Sequence, residues 1–217
     1  MTMNPAREEM LGKVRSALKR TADSEVAAIP ATARIEPRGA GDSEAELSAF
    51  FGEVEKLGGK TSRIAELADL HEALRELVKI EEVKKATVWQ TPELKAWGVE
   101  DALRSFGVEI VSPYAPNREV AECELGITGA DFALPETGTL GLRSTIEQPR
   151  TVSLLPRVHL SLIQKSCLRA DLQPIFEEAK RDDYFVFVTG PSRTADIELT
   201  VTVGVHGPKT LYVWSVP

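Results

Sequence analysis

The chain is poor in the residues that announce metal and redox chemistry. It has two cysteines, Cys123 and Cys167, in 217 residues. They do not form a CxxC pair and are too few for a four-cysteine zinc or iron–sulfur site. Its three histidines, His71, His159 and His206, stand far apart, with no HExxH or HxxxH spacing. No apolar run approaches the roughly 20 residues that span a bilayer. Met1 to Arg20 is charged and lacks the continuous apolar stretch of a secretory signal, which points to the cytoplasm. The charge is also wrong for a nucleic-acid binder, with 26 Lys and Arg against 33 Asp and Glu, a net −7. Neither a GxGxxG fingerprint nor a Walker lysine occurs, so a dinucleotide site of Rossmann type and a P-loop are unsupported.

What is present is an ordinary soluble composition, 42% hydrophobic and 27% charged, long enough for one α/β domain with an extension. Met10, Val14, Ala17 and Leu18 recur at helical spacing. Residues 21–43 then lose the pattern and collect Pro30, Pro37, Gly39 and Gly41. We therefore read residues 1–43 as an N-terminal helix and linker and 44–217 as the main domain. The helix is either a frayed terminus or an arm that packs on a second copy of the chain in a homo-oligomer.

From Ser43 the pattern alternates. A helix runs from Ser43-Glu44-Ala45-Glu46 to the Gly58-Gly59 stop, a short strand covers Lys60 to Ile64, and a helix carries Leu67 to Val78. A strand at Ala86 to Trp89, a helix opened by Thr91-Pro92-Glu93, a helix at Asp101 to Phe106 and a strand at Val108 to Val111 follow. Such βα alternation predicts a parallel sheet flanked by helices. Further on, Ile127 to Leu134 and Leu140 to Ser144 read as extended segments around a turn. Thr151 to Leu155, Val158 to Ile163, Phe185 to Val188 and Leu211 to Trp214 read as strands, and Asp171 to Lys180 as a helix.

Three segments carry candidate chemistry. Pro135-Glu136-Thr137-Gly138-Thr139 puts a carboxylate, two hydroxyls and a glycine within five residues. Glu136 suits a general base, a nucleophile or an acceptor, and a turn that bonds its own backbone would have the same composition. Gly190-Pro191-Ser192-Arg193-Thr194-Ala195-Asp196 follows an apolar strand and predicts a turn and a helix start. Free N–H groups there, with the Ser192 and Thr194 hydroxyls and a bidentate Arg193 oriented by Asp196, suit an anion. Simple capping, with Arg193 paired to Asp196 or Glu198, explains the same residues. Gly204-Val205-His206-Gly207-Pro208 exposes a histidine between glycines, either a proton carrier or an ordinary turn residue. His159, in an apolar strand, reads as a core histidine, and both cysteines read as small apolar fillers.

Taken with Thr128-Gly129-Ala130-Asp131 and Leu154-Leu155-Pro156 before Val158-His159, these segments resemble, in order and spacing over about residues 125–217, the LUD-domain family. The likeness is narrower to its lactate-utilisation protein C branch. The resemblance implies a Rossmann-like, mainly parallel sheet similar to the NagB/RpiA/CoA-transferase group. It implies a bacterial role in oxidising L-lactate to pyruvate beside iron–sulfur and cysteine-rich oxidoreductase subunits, with clusters only in those partners. The expectation is a cluster-free subunit with a small-anion pocket. Its binding groups would be Thr137, Gly138, Thr139, Gly190, Ser192, Arg193, Thr194, Asp196 and Gly207, with Glu136 or His206 handling a proton. A stand-alone enzyme acting on a phosphosugar or acyl-CoA, and a non-catalytic metabolite-binding scaffold, remain the alternatives.

Overall fold

The computed structural model describes residues 5–18, 38–179, 184–195, 201–204 and 206–217. The chain divides into two compact units, Met1–Glu36 and Pro37–Pro217. Within the first, α1 (Pro5–Ala17) exposes Met10 and Val14 at helical spacing, and Leu18 just beyond its end is exposed as well.

The second unit opens with α2 (Ser43–Lys56), whose start is capped by the Asp42 carboxylate accepting from the Glu44 and Ala45 amides. Then come β1 (Lys60–Arg63), α3 (Leu67–Ile80), β2 (Lys85–Val88), α4 (Pro92–Ala96), α5 (Val99–Ser105), β3 (Glu109–Val111) and α6 (Asn117–Val120). β4 (Leu125–Thr128), β5 (Phe132–Leu134) and β6 (Thr139–Arg143) precede α7 (Thr151–Leu154) and β7 (Val158–Ile163). α8 (Leu172–Ala179), β8 (Phe185–Thr189), β9 (Arg193–Ala195), β10 (Val201–Val203) and β11 (Thr210–Ser215) complete the described elements.

Six strands form a wholly parallel sheet in the order β1-β11-β7-β4-β2-β3. One face is a continuous apolar layer. Val88, Ile127, Leu160 and Trp214 pack on α3 and α5, which supply Leu70, Leu74, Leu77, Val99 and Leu103. The spacing of the three α3 leucines makes a single buried stripe, and each is worth about 1.5–3 kcal/mol in burial. On the opposite face Leu211 and Val213 meet Leu47, Phe50, Phe51 and Val54 of α2. The register aligns Thr87 with Gly126 and His159, and Thr128 with Ser161, so this face of the central strands carries buried polar groups. β5, β6 and β8 form a separate antiparallel sheet, and β9 pairs antiparallel with β10.

Three local expectations are corrected. Ile127 to Leu134 is not one extended segment: the chain leaves the parallel sheet at Gly129 and re-enters the antiparallel one at Phe132. Residues 151–154 form a helical turn, not a strand. Both edges of β4 are already taken by β2 and β7, so this segment satisfies its own backbone, with Leu155 N donating to Thr151 O at 2.9 Å. It lies so close over β4 that a Cβ at Gly126 would sit 2.0 Å from the Val152 carbonyl oxygen. Finally, residues 193–195 form β9 where a helix start was expected, because their backbone pairs with the β-branched Val201–Val203 segment.

Candidate functional site

The strand pairing that brings β6 beside β8 also joins two of the sequence motifs. Thr139 stands opposite Thr189, with their hydroxyl oxygens 2.9 Å apart, and the Thr137 hydroxyl donates to Thr139 Oγ1 at 2.7 Å. Between them Gly138 adopts φ +61°, a left-handed conformation that favours glycine. A Cβ there would lie 2.8 Å from the Val54 amide nitrogen, so the turn is pressed onto the backbone of α2. Gly190 lies against Leu57 at the end of the same helix. The exposed Arg193 guanidinium donates to the Leu57 carbonyl oxygen. A cation is favoured there, since a helix leaves its last carbonyls unsatisfied and carries partial negative charge at that end. Ser192 N donates to Pro208 O and Gly204 N to Ser192 O, both at 2.9 Å, and Gly207 packs on the Ser192 side chain. Thr137 to Thr139, Gly190 to Arg193 and, through Ser192, Gly204, Gly207 and Pro208 thus gather around one end of α2.

Glu136 points elsewhere. It is exposed, and its Oε1 lies 3.1 Å from Arg38 Nε. Arg38 also grips Glu46 with two bonds, at 2.6 and 2.8 Å, and donates to Ala170 O at 3.0 Å. The bidentate bond from Arg38 holds the Glu46 carboxyl below the usual carboxylate range. Glu136 and Glu46 line a groove of about 360 Å3 between the β5–β6 turn and α2. His206 is exposed, and among the described residues no hydrogen bond or ion pair joins it to Glu136. The backbone of Thr194 pairs with Thr202. Asp196 lies outside the described residues.

A second region holds Gly129-Ala130-Asp131 of the quoted motifs but none of the candidate site residues. At the carboxyl ends of β2, β4 and β7 a crevice of about 250 Å3 opens in the parallel sheet. The chain leaving β2 goes to β3 on one side, and the chain leaving β4 goes to β7 on the other. In open α/β sheets such a reversal between neighbouring strands leaves a crevice where ligands bind. Leu94, Trp97, Leu162 and Cys167 form the apolar part of its wall. Polar groups come from Thr91, Glu93, Asp131, Gln148, Gln164 and Ser166.

Several bonds fix this wall. The Ser161 hydroxyl donates to Gly129 O at 3.1 Å, which anchors the turn after β4. Asp131 Oδ2 accepts from the Arg143 amide at 2.7 Å. Gln164 Nε2 donates to Pro217 O at 2.9 Å, and the Trp97 carbonyl bonds His71 Nε2 at 2.9 Å. Burial pushes the Cys167 thiol up to about 12, so it lines the crevice as a neutral thiol. Behind the turn, His159 Nε2 and Thr128 Oγ1 are 2.8 Å apart, and His159 Nδ1 has no partner among the described residues. Complete burial pushes His159 down to about 4, which keeps it neutral.

The crevice residues come from four separate stretches of chain, so no single local pattern marks them as one site. The available signal was positional. Thr91-Pro92-Glu93 and Gly129-Ala130-Asp131 each follow the end of a predicted strand, and the rule for open parallel sheets selects such places. Among the described residues no group of three or more His, Cys, Asp or Glu is placed to hold a metal ion. Nor is any described helix long and apolar enough to cross a membrane.

Comparison with known proteins bears on the whole α/β unit. The LUD domain model matches residues 47–214. Lactate utilization protein C of Shouchella clausii is 32% identical over 159 residues, covering 68% of this chain and 69% of that protein. Lactate utilization protein C of Halalkalibacterium halodurans is 31% identical over 150 residues, covering 64% and 65% respectively. The crystal structure of a DUF162 family protein from Deinococcus radiodurans has a TM-score of 0.59 at 16% identity, over 82% of this chain and 100% of that one. That likeness concerns the fold alone. With the match running from α2 into β11 and embracing both candidate regions, the chain belongs to the LUD domain family.

Proposed function

We propose that this chain is the cluster-free subunit of a system that oxidises L-lactate to pyruvate. The observation that carries the reading is the LUD match over residues 47–214 together with relatives bearing the name lactate utilization protein C. We assign the electron-carrying centres to iron–sulfur and cysteine-rich oxidoreductase partners. The thiol chemistry of this chain supports that division: burial pushes Cys123 up to about 11 and Cys167 up to about 12, far from ready thiolates.

In this reading the rim around the end of α2 takes a small anion. Thr137, Thr139 and Ser192 supply hydroxyls, and Gly138, Gly190, Gly207, Thr194 and Asp196 complete the proposed set. Arg193 exchanges its bond to the Leu57 carbonyl for the anion. Glu136, tethered by Arg38, and the exposed His206 are the groups that would carry a proton.

The test is anaerobic purification of the tagged chain from its host grown on L-lactate, with iron assay and lactate-dependent dye reduction. Co-purifying iron–sulfur partners with activity is the expected result, with the activity, and not the co-purification, lost in Arg193→Ala. A clean, iron-free chain that by itself turns over a phosphosugar or an acyl-CoA would sink the proposal.

A further inference from the structure

We infer that the crevice at the carboxyl ends of β2, β4 and β7 is a binding site for a small uncharged molecule that carries amide or hydroxyl groups on a flat apolar body. This inference does not rest on the lactate reading. It starts from the lining. Among the described residues no lysine, arginine or histidine lines the crevice, while Glu93 and Asp131 both do. Asp131 is compensated from behind by the Arg143 guanidinium, 3.4 Å from its Oδ1, so the unpaired charge is that of Glu93, and a free carboxylate or phosphate placed there would meet it with no cation in the wall, which opposes binding.

The polar groups that remain are mixed donors and acceptors. Gln148 and Gln164 each offer both functions through one amide, and Ser166 and Thr91 through hydroxyls. The Asp131 carboxylate accepts, and its orientation is set by the Arg143 amide at 2.7 Å. An amide or a hydroxyl can satisfy such a set from both directions, which a carboxylate, an acceptor alone, cannot. The half-buried Trp97, with Leu94 and Leu162, supplies an apolar surface for a planar ligand. The volume of about 250 Å3 suits a small compound.

Matched amide and carboxylate compounds test the charge rule directly: nicotinamide against nicotinate, benzamide against benzoate, and L-lactamide against L-lactate. The full chain would be titrated by two-dimensional NMR, following the Trp97 indole N–H, assigned through Trp97→Phe, and the Gln148 and Gln164 side-chain amides. The amides are expected to shift these signals and to bind about tenfold more tightly than their carboxylates, a gap of about 1.4 kcal/mol. Glu93→Gln and, separately, Asp131→Asn should narrow that gap by strengthening carboxylate binding. The exposed Glu93 provides the variant less exposed to folding failure.

Carboxylates binding as well as their amides would overturn the inference. So would amides that leave the Trp97 and glutamine signals unmoved. Binding of L-lactate in the crevice in preference to L-lactamide would refute the charge argument while leaving the lactate-system proposal standing. Failure of partner co-purification would refute that proposal and leave this titration unaffected.

Discussion

The rim at the end of α2 and the crevice at the end of the parallel strands differ in how their residues are used. At the rim, conspicuous residues answer to the backbone: Gly138 and Gly190 let two turns close on α2, and Arg193 fills a carbonyl left open at the helix end. At the crevice, ordinary residues from separate segments converge because parallel strands all end on the same side of a sheet. A dense motif therefore reports a strong local constraint, which can be steric as well as chemical. A cavity at a topological reversal carries little local signature and follows from connectivity.

Substitutions separate the two regions by size of effect. Gly138→Ala should be the most damaging, about 3 kcal/mol in chemical denaturation. It combines a left-handed backbone with a Cβ placed 2.8 Å from Val54 N. A loss below about 1 kcal/mol would show that the turn moves off α2 freely.

Next comes the buried His159 behind the crevice. Its folded pKa of about 4 lies below its ordinary 6.5, so the unfolded chain binds the proton more readily. Stability from this group is full above about pH 6.5 and drains away as pH falls toward 4, by about 2 kcal/mol at pH 5. His159→Asn should flatten that limb of the stability profile, and an unchanged slope would place the titration on another group.

Arg38→Ala removes the clamp on Glu46, Glu136 and Ala170. Arg38 is 37% exposed, so solvent screening limits the loss to about 1 kcal/mol, and the loss should shrink in high salt. A salt-independent loss would mark the contact as packing. The smallest effect belongs to the crevice: Glu93→Gln, at an exposed position, should stay within about 0.5 kcal/mol in denaturation. It should nonetheless change the preference between amides and carboxylates. A stability loss comparable to that of Gly138→Ala would erase the contrast between a tightly packed rim and an open crevice.

Much of the fold was legible along the chain. Asp42 before Ser43, the Leu70-Leu74-Leu77 spacing, and the Thr91-Pro92 start all encode helices through interactions within a few residues. The strands at β2, β4, β7 and β11 are apolar because both faces of a parallel sheet are covered. The candidate site was legible in part. Thr139 lies against Thr189, next to the Gly190 motif, and Ser192 lies against Gly207, so these motif segments do come together. That Glu136 turns toward Arg38, and that Arg193 binds Leu57, depends on partners more than 90 positions away in sequence, as with the separation of 136 for Arg193 and Leu57.

What the sequence by itself determined is what short-range physics controls: helix starts and stops, the periodicity that selects βα alternation, and the scarcity of cysteine and of paired histidines. Tertiary structure alone decided the strand order β1-β11-β7-β4-β2-β3, the helical turn at 151–154 beside a β4 whose two edges are taken by β2 and β7, and the crevice assembled from four distant segments. The reason is that hydrogen bonding within a turn is settled by neighbours in the chain. The occupancy of a sheet edge, and the side chains that face a shared cavity, are settled only when all the strands have found their places.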